Sequence, residues 1–400
     1  MMAQMLNFEI PQDLARDLKQ WRTRIGAVGV IALALTLLGA LIGPPGQFFR
    51  SYLWSYVLFL GVSLGCLAWL MMQYLTGGAW GVVIRRPAEA AARTLPLLAL
   101  LFIPIVIGVP TLYSWSHANI VAADPVLQHK SMYLNFPFFL GRAVFYFLGW
   151  LFCSWYLNRW SENEDRTASP VAHQKMAALA GPGVLFWGVS VTFMSIDWVM
   201  SLEPHWFSTM YGLLFIAGQG LSSMAFLIAL LVLLSQYEPM SRILTHRHLH
   251  DLGKLLLAAV MVWAYFSFSQ FLIIWTGNLP EEIPFYLRRL TGGWWWLALL
   301  LVVGHFALPF ALLLSRDLKR NFKLISRIAI FILFMRAVDI YWQAAPDTTN
   351  GVFAPSWMDL TAFIGIGGIW LAYFLTNLAQ RPLMPLHDPH LEEALEHGRE

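Results

Sequence analysis

Two long apolar runs of this chain are joined by the stretch SIDWVMSLEPHWFSTMYG, Ser195 to Gly212. Asp197 falls at the end of the first run, and Glu203 and His205 follow at the break between the runs. A carboxylate at membrane depth is unfavourable by roughly 2.5–3.5 kcal/mol on insertion scales, so it usually has a partner or a task. Tryptophan and tyrosine surround it, as at a membrane–water interface. The stretch therefore predicts a membrane protein with a functional carboxylate near one face.

The composition also indicates an integral membrane protein. The 400 residues are 58% hydrophobic, 15% aromatic and 12% charged, which is atypical of a soluble domain. Apolar runs long enough to cross a core of ~30 Å predict ten spans, numbered in order: 25–45, 51–74, 94–114, 136–158, 177–200, 209–236, 253–276, 292–314, 323–345 and 355–378. The connections are too short to fold alone. We therefore expect one all-α integral membrane domain over 25–378.

The basic residues predict the orientation of this domain. Most of the 26 lysines and arginines lie in the two terminal segments and in the loops after spans 2, 4, 6 and 8. Only four, Arg50, Lys130, Arg288 and Arg289, lie in the opposite loops. Because cytoplasmic loops are enriched in positive charge, both termini are predicted to be cytoplasmic. The two cytoplasmic terminal segments are then residues 1–24 and the tail 379–400. The basic residues of 1–24 are also consistent with an interfacial amphipathic helix.

Short motifs recur at an interval of four spans. The outer ends of spans 4 and 8 read PFFLGR, Pro137 to Arg142, and PFYLRR, Pro284 to Arg289. Asp197 in span 5 and Asp339 in span 9 are each followed seven residues later by a proline. An even spacing preserves orientation, so we infer two parallel four-helix bundles, spans 2–5 and spans 6–9, with spans 1 and 10 peripheral. The bundles cover residues 51–200 and 209–345.

Few polar side chains lie inside the predicted spans, and most of them fall towards the outer face. They are Arg142, Asp197, Gln219, Gln270, His305, Arg336, Asp339, Gln343 and Asp359. Arg142 is the expected partner of Asp197, while Arg336 and Asp339 lie three residues apart and can pair along one helix face. Two interpretations stay open: neutralised braces between helices, or a proton relay or polar ligand site.

Several cofactor classes are disfavoured by the sequence. His305 is the only histidine well inside a span, whereas a membrane haem of the cytochrome b kind needs two axial histidines. Cys66 and Cys153 are isolated in apolar runs and cannot supply the about four thiolates of an iron–sulfur cluster. No metal site is predicted, and the charge pattern gives no reason to expect nucleic acid as a partner.

Four stretches resemble the ActF membrane protein of bacterial alternative complex III, a quinol:cytochrome c (or other periplasmic carrier) oxidoreductase. They are SIDWVMSLEPHWFSTMYG, YLNFPFFLGRAVFYFLGW from Tyr133, SQFLIIWTGNLPEE from Ser269 and DIYWQAAP from Asp339. The ActF family is similar to NrfD/PsrC-like polytopic membrane anchors. The resemblance implies ten spans in two four-helix bundles in the bacterial cytoplasmic membrane, within a respiratory or photosynthetic electron-transport chain.

The resemblance also implies partners and cofactors. The partners would be the other alternative complex III proteins: the sister ten-span protein ActC, multihaem cytochromes c, the iron–sulfur protein ActB and the ActD protein, beside membrane lipid. Haem c and iron–sulfur clusters would belong to these partners, the quinone would be menaquinone or ubiquinone, and this chain would carry no cofactor and would not be catalytic alone.

We therefore expect a cofactor-free membrane subunit of a quinol-oxidising complex, with a role in proton conduction or in a quinone-like pocket on the periplasmic side. The proton-path candidates are Asp197, Glu203, His205, Arg142, Gln219, His305, Arg336 and Asp339. The quinone-pocket candidates are Arg142, Asp197, Trp198 and Trp115. A scaffold subunit and an independent secondary transporter with parallel repeats are the alternatives.

Overall fold

The computed structural model describes residues 8–349 and 351–397, and this part of the chain is helical without β-strands. The first seven residues of the predicted segment 1–24 and the last three of the predicted tail lie outside the described residues. The described residues form ten long helices: α1 Gln12–Ile42, α2 Gln47–Thr76, α3 Ala79–Ile107, α4 Phe136–Thr167, α5 Pro170–Trp198, α6 Tyr211–Leu234, α7 His246–Gly277, α8 Trp294–Leu314, α9 Phe322–Thr348 and α10 Trp357–Leu378.

Short helices and turns connect the long ones. The α-helical pieces are Val109–Leu112, Ala118–Ala123, Pro125–Lys130, Met240–Ile243, Pro284–Leu290, Arg316–Arg320 and Leu391–His397. Ser114–Ser116 and Met200–Leu202 are single 3₁₀ turns. One segment of α8, Leu301–Ala307, is a π-helix. Pro309 follows it, and because a proline ring clashes with the carbonyl four residues earlier and cannot donate to it, widened turns suit this position.

Nine helices of the described part are long and apolar enough to cross a membrane, which supports a multi-pass membrane protein. They are α1 to α8 and α10. Helix α9 coincides with the predicted ninth span and has 27 residues, but it is not among the nine. It carries Arg336 and Asp339 in its middle.

Helix α2 lies at the centre of the packing. It contacts α3, α5, α6, α9 and α10, and 89% of its most apolar window is buried inside the protein. Helix α4 packs on α3 and α5, while α7, α8 and α9 pack on one another beside α6. Neighbouring helices are in contact within spans 2–5, called here the first group, and within spans 6–9, the second group. The groups are joined through α2, α5 and α6, and α2 also contacts α9 and α10.

Helices α1 and α10 form a close pair at the periphery. A Cβ built on Gly29 of α1 would lie 2.7 Å from the backbone nitrogen of Ile369, and one on Gly368 would lie 2.7 Å from the Cα of Gly29. Small residues of this kind let helix backbones approach closely where lipid gives no hydrophobic driving force.

The N-terminal segment continues directly into the first span. Helix α1 begins at Gln12, so residues 12–24 extend the span and do not form a separate interfacial helix. No glycine or proline interrupts this segment, and Leu14 and Leu18 are buried against the protein. The backbone N–H of Leu383 donates to the carbonyl of Phe8 at 3.1 Å, so both terminal segments lie on the same side of the helices.

The loop predicted after span 2 is a buried helical turn of α3. Arg85, expected in a solvated loop, is buried and donates to Glu89 at 3.1 Å, Glu164 at 2.5 Å and Asp388 at 2.5 Å. Arg86 is also buried and pairs with Glu89 at 2.7 Å. The alanine-rich sequence favours a helix here. Each guanidinium is neutralised by Glu89 of its own helix and by carboxylates of other segments, Glu164 and Asp388 for Arg85 and Asp165 for Arg86. This network holds the C-terminal segment against α3 and α4.

Candidate functional site

The predicted pair of Arg142 and Asp197 is present where α4 begins and α5 ends. Arg142 donates to both carboxylate oxygens of Asp197 at 2.8 Å, and the Tyr146 hydroxyl donates to the same carboxylate at 2.8 Å. The guanidinium carbon lies 3.8 Å from the ring centre of Tyr133 and 4.4 Å from that of Phe138. Asp197 is fully buried and the Arg142 side chain is 10% exposed. A bidentate pair with these stacked rings is a strong, geometrically fixed contact.

The two predicted pocket tryptophans belong to an aromatic cluster. The Trp198 ring lies 4.4 Å from that of Phe102 and 5.9 Å from that of Phe147, measured between centroids. Trp115 stacks on Tyr113 at 5.0 Å, and the Tyr113 hydroxyl donates to the carbonyl of Trp198 at 2.8 Å. The four predicted quinone-pocket residues therefore form two packed groups, an ion pair and an aromatic cluster, and their interactions are with each other and with neighbouring rings.

A second ionisable cluster lies in the other group of helices. Asp339 of α9 accepts a hydrogen bond from the indole N–H of Trp263 in α7 at 2.9 Å and pairs with Arg336 one turn earlier, as predicted. His305 of the π-segment in α8 places its Nε2 atom 4.0 Å from the same carboxylate oxygen. The His305 ring also packs edge-on against Trp263 with 4.2 Å between centroids. Three helices thus converge on the Asp339 carboxylate.

Both clusters contain buried polar atoms without a partner, but in the first they are the indole nitrogens of Trp115 and Trp198 and the Tyr133 hydroxyl, whereas in the second they belong to a histidine and a carboxylate. Neither ring nitrogen of His305 has a hydrogen-bond partner among the described residues, and neither do the other carboxylate oxygen of Asp339 and the side-chain oxygen of Gln343. His305 is fully buried and Asp339 is 1% exposed. Unpartnered buried polar atoms are rare in native proteins, and π-segments are frequent at functional sites. The Asp339 cluster is therefore the stronger candidate site.

The Arg336 side chain is held between helices by close packing. A Cβ added to Gly218 of α6 would lie 2.1 Å from its guanidinium carbon, so only glycine leaves room for it. Gln219, expected on the same polar path, accepts a hydrogen bond from the Trp187 indole at 3.0 Å and lines the same small enclosed space as Arg336. Gln219 therefore connects the Arg336 region to α5.

Polar residues continue from the Asp339 cluster to the outer end of α9. Gln343 and Asp347 follow Asp339 at intervals of four residues and hence share its helix face. Asp347 pairs with buried Arg289 at 2.6 Å, and Arg289 also donates to the backbone carbonyl of Gln343 at 2.7 Å. Arg288 lies 3.9 Å from Asp347 and forms an ion pair with Glu203. This chain of contacts extends over about 12 Å along the helix, at 1.5 Å per residue.

The outermost part of this series of contacts contains His205. Its two ring nitrogens lie 3.5 Å from a Glu203 oxygen and 2.6 Å from an Asp124 oxygen. Partial desolvation raises the pKa of Asp124, but hydrogen bonds from His205 and from the backbone N–H groups of Leu127 and Val126 outweigh it and lower that pKa. Glu203 and His205 were predicted to share a proton path with Asp197, which they follow in the sequence, but their side chains are bonded to Arg288 and Asp124.

The recurring motif has recurring side-chain geometry. Arg142 and Arg289 end the two copies, and each lies over the phenylalanine four residues earlier, Phe138 at 4.4 Å and Phe285 at 3.5 Å. Each also binds an aspartate of a long helix further along the chain, Asp197 of α5 and Asp347 of α9. The aspartates differ in register, because Asp347 lies eight residues beyond the one that aligns with Asp197. This shift leaves Asp339 without the arginine of the motif.

Sequence reasoning missed several residues of the site. Arg289 and Asp347 were not candidates, because the first was counted as a loop cation and the second lies beyond the predicted span. The motif PFYLRR was the available signal for Arg289, and the four-residue spacing after Gln343 was the signal for Asp347. Trp263 and Tyr146 carried no signal, because one aromatic residue in an apolar run resembles any other.

One group of metal-binding residue types was found in the described part of the chain. Oxygen or nitrogen atoms of Glu164, His173 and Asp388 lie within 4.8 Å of one another. Arg85 already donates to both carboxylates at 2.5 Å, so its guanidinium occupies the cationic position between them. The group is accounted for by this ion-pair network.

A scan against protein-family models gives no match for this chain, and a search of curated proteins gives none either.

Proposed function

We propose that the chain is a cofactor-free membrane subunit of a quinol-oxidising electron-transfer complex, similar to the ActF protein of alternative complex III, and that it conducts protons. In this proposal it crosses the bacterial cytoplasmic membrane ten times, α9 included, with both termini in the cytoplasm. The observation that carries it is the buried cluster of His305 and Asp339, whose unpartnered atoms lie inside the second group of helices.

The chemistry of quinol oxidation explains why such a cluster is useful. Oxidation of a quinol releases two electrons and two protons; the electrons pass to haem c and iron–sulfur centres of partner subunits, and the protons need acceptors. Asp339 has one oxygen without a partner, which can receive a proton, while Arg336 and Trp263 hold the other oxygen in place. His305 places its Nε2 atom 4.0 Å from the oxygen bonded to Arg336 and Trp263, and in this proposal it is the next group to exchange the proton.

The onward route follows the outer half of α9. Gln343 and Asp347 continue the polar face, and Arg288, Glu203 and His205 carry it to the outer surface. In the proposed orientation this end faces the periplasm. The resemblance to ActF implies that the quinol site of the sister ten-span protein ActC lies on the same side. The path thus connects the bundle interior to the compartment that receives the protons.

A scaffold role fits the first group of helices better than a relay. Asp197 has two bonds from Arg142 and one from Tyr146, so its oxygens are already satisfied. Because both of its oxygens are fixed by these bonds, the carboxylate has little freedom to take a new partner. We therefore assign the Arg142–Asp197 pair to bracing α4 against α5, and the relay to the Asp339 cluster.

Purification and one matched pair of variants test the proposal. The tagged chain, isolated in mild detergent, should bring c-type haem and quinol oxidase activity with it. D339N should lower turnover of that assembly about 10²-fold or more, the usual contribution of a proton-transferring group. D359N is the matched control, because Asp359 is a helix-capping aspartate of α10. An asparagine there can still accept from the Ser356 backbone N–H, and its NH2 group can donate to the Ser51 hydroxyl. A solitary chain without haem partners, or normal turnover in D339N, would contradict the proposal.

A further inference from the structure

A groove opens between three helices near the C-terminal segment. It has a volume of about 600 Å³ and is lined by the beginning of the apolar part of α3, the second half of α4 and the end of α10. Arg93, Arg159 and Arg381 line it together with Glu162, the one carboxylate of its wall. The groove therefore has an excess of positive charge.

Two of these arginines have no carboxylate partner. Arg93 donates to the side-chain oxygen of Gln380 at 3.0 Å and to the backbone carbonyl of Asn377, and its Nε is buried with no partner. Arg159 lies over the Trp155 ring at 5.4 Å. Neither forms an ion pair with another described residue. A guanidinium in a partly enclosed groove without a counter-charge is suited to bind an anion from outside the chain.

An apolar groove continues from this basic one along the same pair of helices. It measures about 260 Å³ and is lined by Ala99, Ile103 and Val106 of α3 and by Leu140, Val144 and Leu148 of α4. Pro96 of α3 and Leu151 of α4 line the basic groove, and each lies three residues, about one helical turn, from a residue that lines the apolar groove, Ala99 and Leu148. From Pro96 to Val106 the seam extends about 15 Å at 1.5 Å per residue, most of the length of a lipid acyl chain.

We propose that this seam binds an anionic phospholipid, with the phosphate between Arg93 and Arg159 and one acyl chain in the apolar groove. Basic pockets between transmembrane helices bind anionic headgroups in this manner. Trp155 is 55% exposed at the headgroup end, and Tyr373 lines the same groove, which places amphipathic rings where the interface of the bilayer lies. The lipid would lie in the leaflet on the side of the C-terminal segment and seal α3, α4 and α10 together.

The charge and the apolar seam make separate predictions. A headgroup without acyl chains would contact only the arginines, whereas an acyl chain of a whole phospholipid would also occupy the apolar groove beside Val144. Each arginine near a membrane surface contributes to binding an anionic lipid by about fivefold, so R93Q/R159Q should weaken binding about thirtyfold. V144W should obstruct the seam and weaken long-chain lipid binding without changing the response to charge.

Native mass spectrometry of the delipidated protein, with whatever subunits purify with it, tests the proposal. The probes are phosphatidylglycerol, phosphatidylcholine with the same acyl chains, and glycerol phosphate. R242Q/K254Q is the matched control, because it removes two exposed positive charges on the same side of the helices, each in a local ion pair away from the groove. Support would be preferential binding of phosphatidylglycerol that R93Q/R159Q weakens and the control variant does not.

Three results would overturn the proposal. They are equal binding of the two phospholipids, equal losses in the groove and control variants, and glycerol phosphate binding as tightly as the whole lipid, which would indicate a site for a soluble phosphate. If R93Q/R159Q does not fold, R159Q alone tests the proposal and should weaken phosphatidylglycerol binding about fivefold. This variant should fold, because Arg159 is exposed and its described contact is with Trp155.

Discussion

Removing Arg142 should destabilise the protein strongly, because it leaves the buried Asp197 carboxylate without a positively charged partner. R142M deletes two charge-assisted hydrogen bonds to Asp197 and leaves that carboxylate fully buried with only the Tyr146 hydroxyl. Each such bond contributes about 1.5–3 kcal/mol, and breaking a buried pair on one side typically costs about 3–5 kcal/mol. We expect a loss of about 3–5 kcal/mol in the free energy of unfolding.

Replacing both partners should cost much less than the two single changes predict together. In R142M/D197L no charge is left buried, and the remaining penalty is the Tyr146 hydroxyl without its acceptor, about 1–3 kcal/mol. The difference is a coupling energy that a double-mutant cycle measures directly. The double variant should also retain quinol oxidation in the assembled complex, because the pair is assigned to bracing and not to proton transfer.

Reversible unfolding in mixed detergent micelles provides the measurement. The control is R327M, which removes an arginine from α9 without disturbing the Arg142 pair. A loss below about 1 kcal/mol in R142M, or additive losses in R142M/D197L, would refute the interpretation of this pair as a buried brace. Loss of turnover in a stably folded double variant would return Asp197 to the proton path.

Two further predictions concern packing and pH. G218A places a methyl group 2.1 Å from the guanidinium carbon of Arg336; overpacking of this kind costs about 1–3 kcal/mol, so an unchanged unfolding temperature would contradict the observed packing. Because the pKa of Asp124 is lowered, its ionised form stabilises the outer segment. This stabilisation is fully present at pH values above about 3.9, the ordinary aspartate pKa, and is lost as the pH falls through the lowered pKa. The stability difference between the wild type and D124A should therefore shrink with acid, and a pH-independent difference would count against it.

The sequence predicted the helices better than the contacts between them. Apolar runs predicted the positions of the long helices because every backbone polar group in a bilayer must be bonded within its own segment. The pairs Arg142–Asp197 and Arg336–Asp339 could be predicted because a buried charge needs an opposite charge nearby. The spans contain so few charged residues that each carboxylate had only one or two possible partners. The motif containing Arg289 was also visible, although its binding to Asp347 was not.

Other features depended on tertiary contacts that no local pattern encodes. Arg85 looked like a solvated loop charge, because ion pairing between distant segments leaves no periodicity in the sequence. The continuous helix α1 shows a similar effect: a basic amphipathic start predicts a surface helix, yet Leu14 and Leu18 are buried against the protein. Only the side-chain geometry showed that hydrogen bonds occupy both oxygens of Asp197 and leave one oxygen of Asp339 without a partner.

The central claim is that the Asp339 carboxylate takes up and releases a proton during quinol oxidation. Infrared difference spectroscopy of the purified complex tests it most directly, by recording the carboxyl C=O stretch as quinol is added. We predict a carboxyl signal in the wild type and in D359N that is missing in D339N. The same signal in D339N would show that the proton is carried by a different group and would contradict the account.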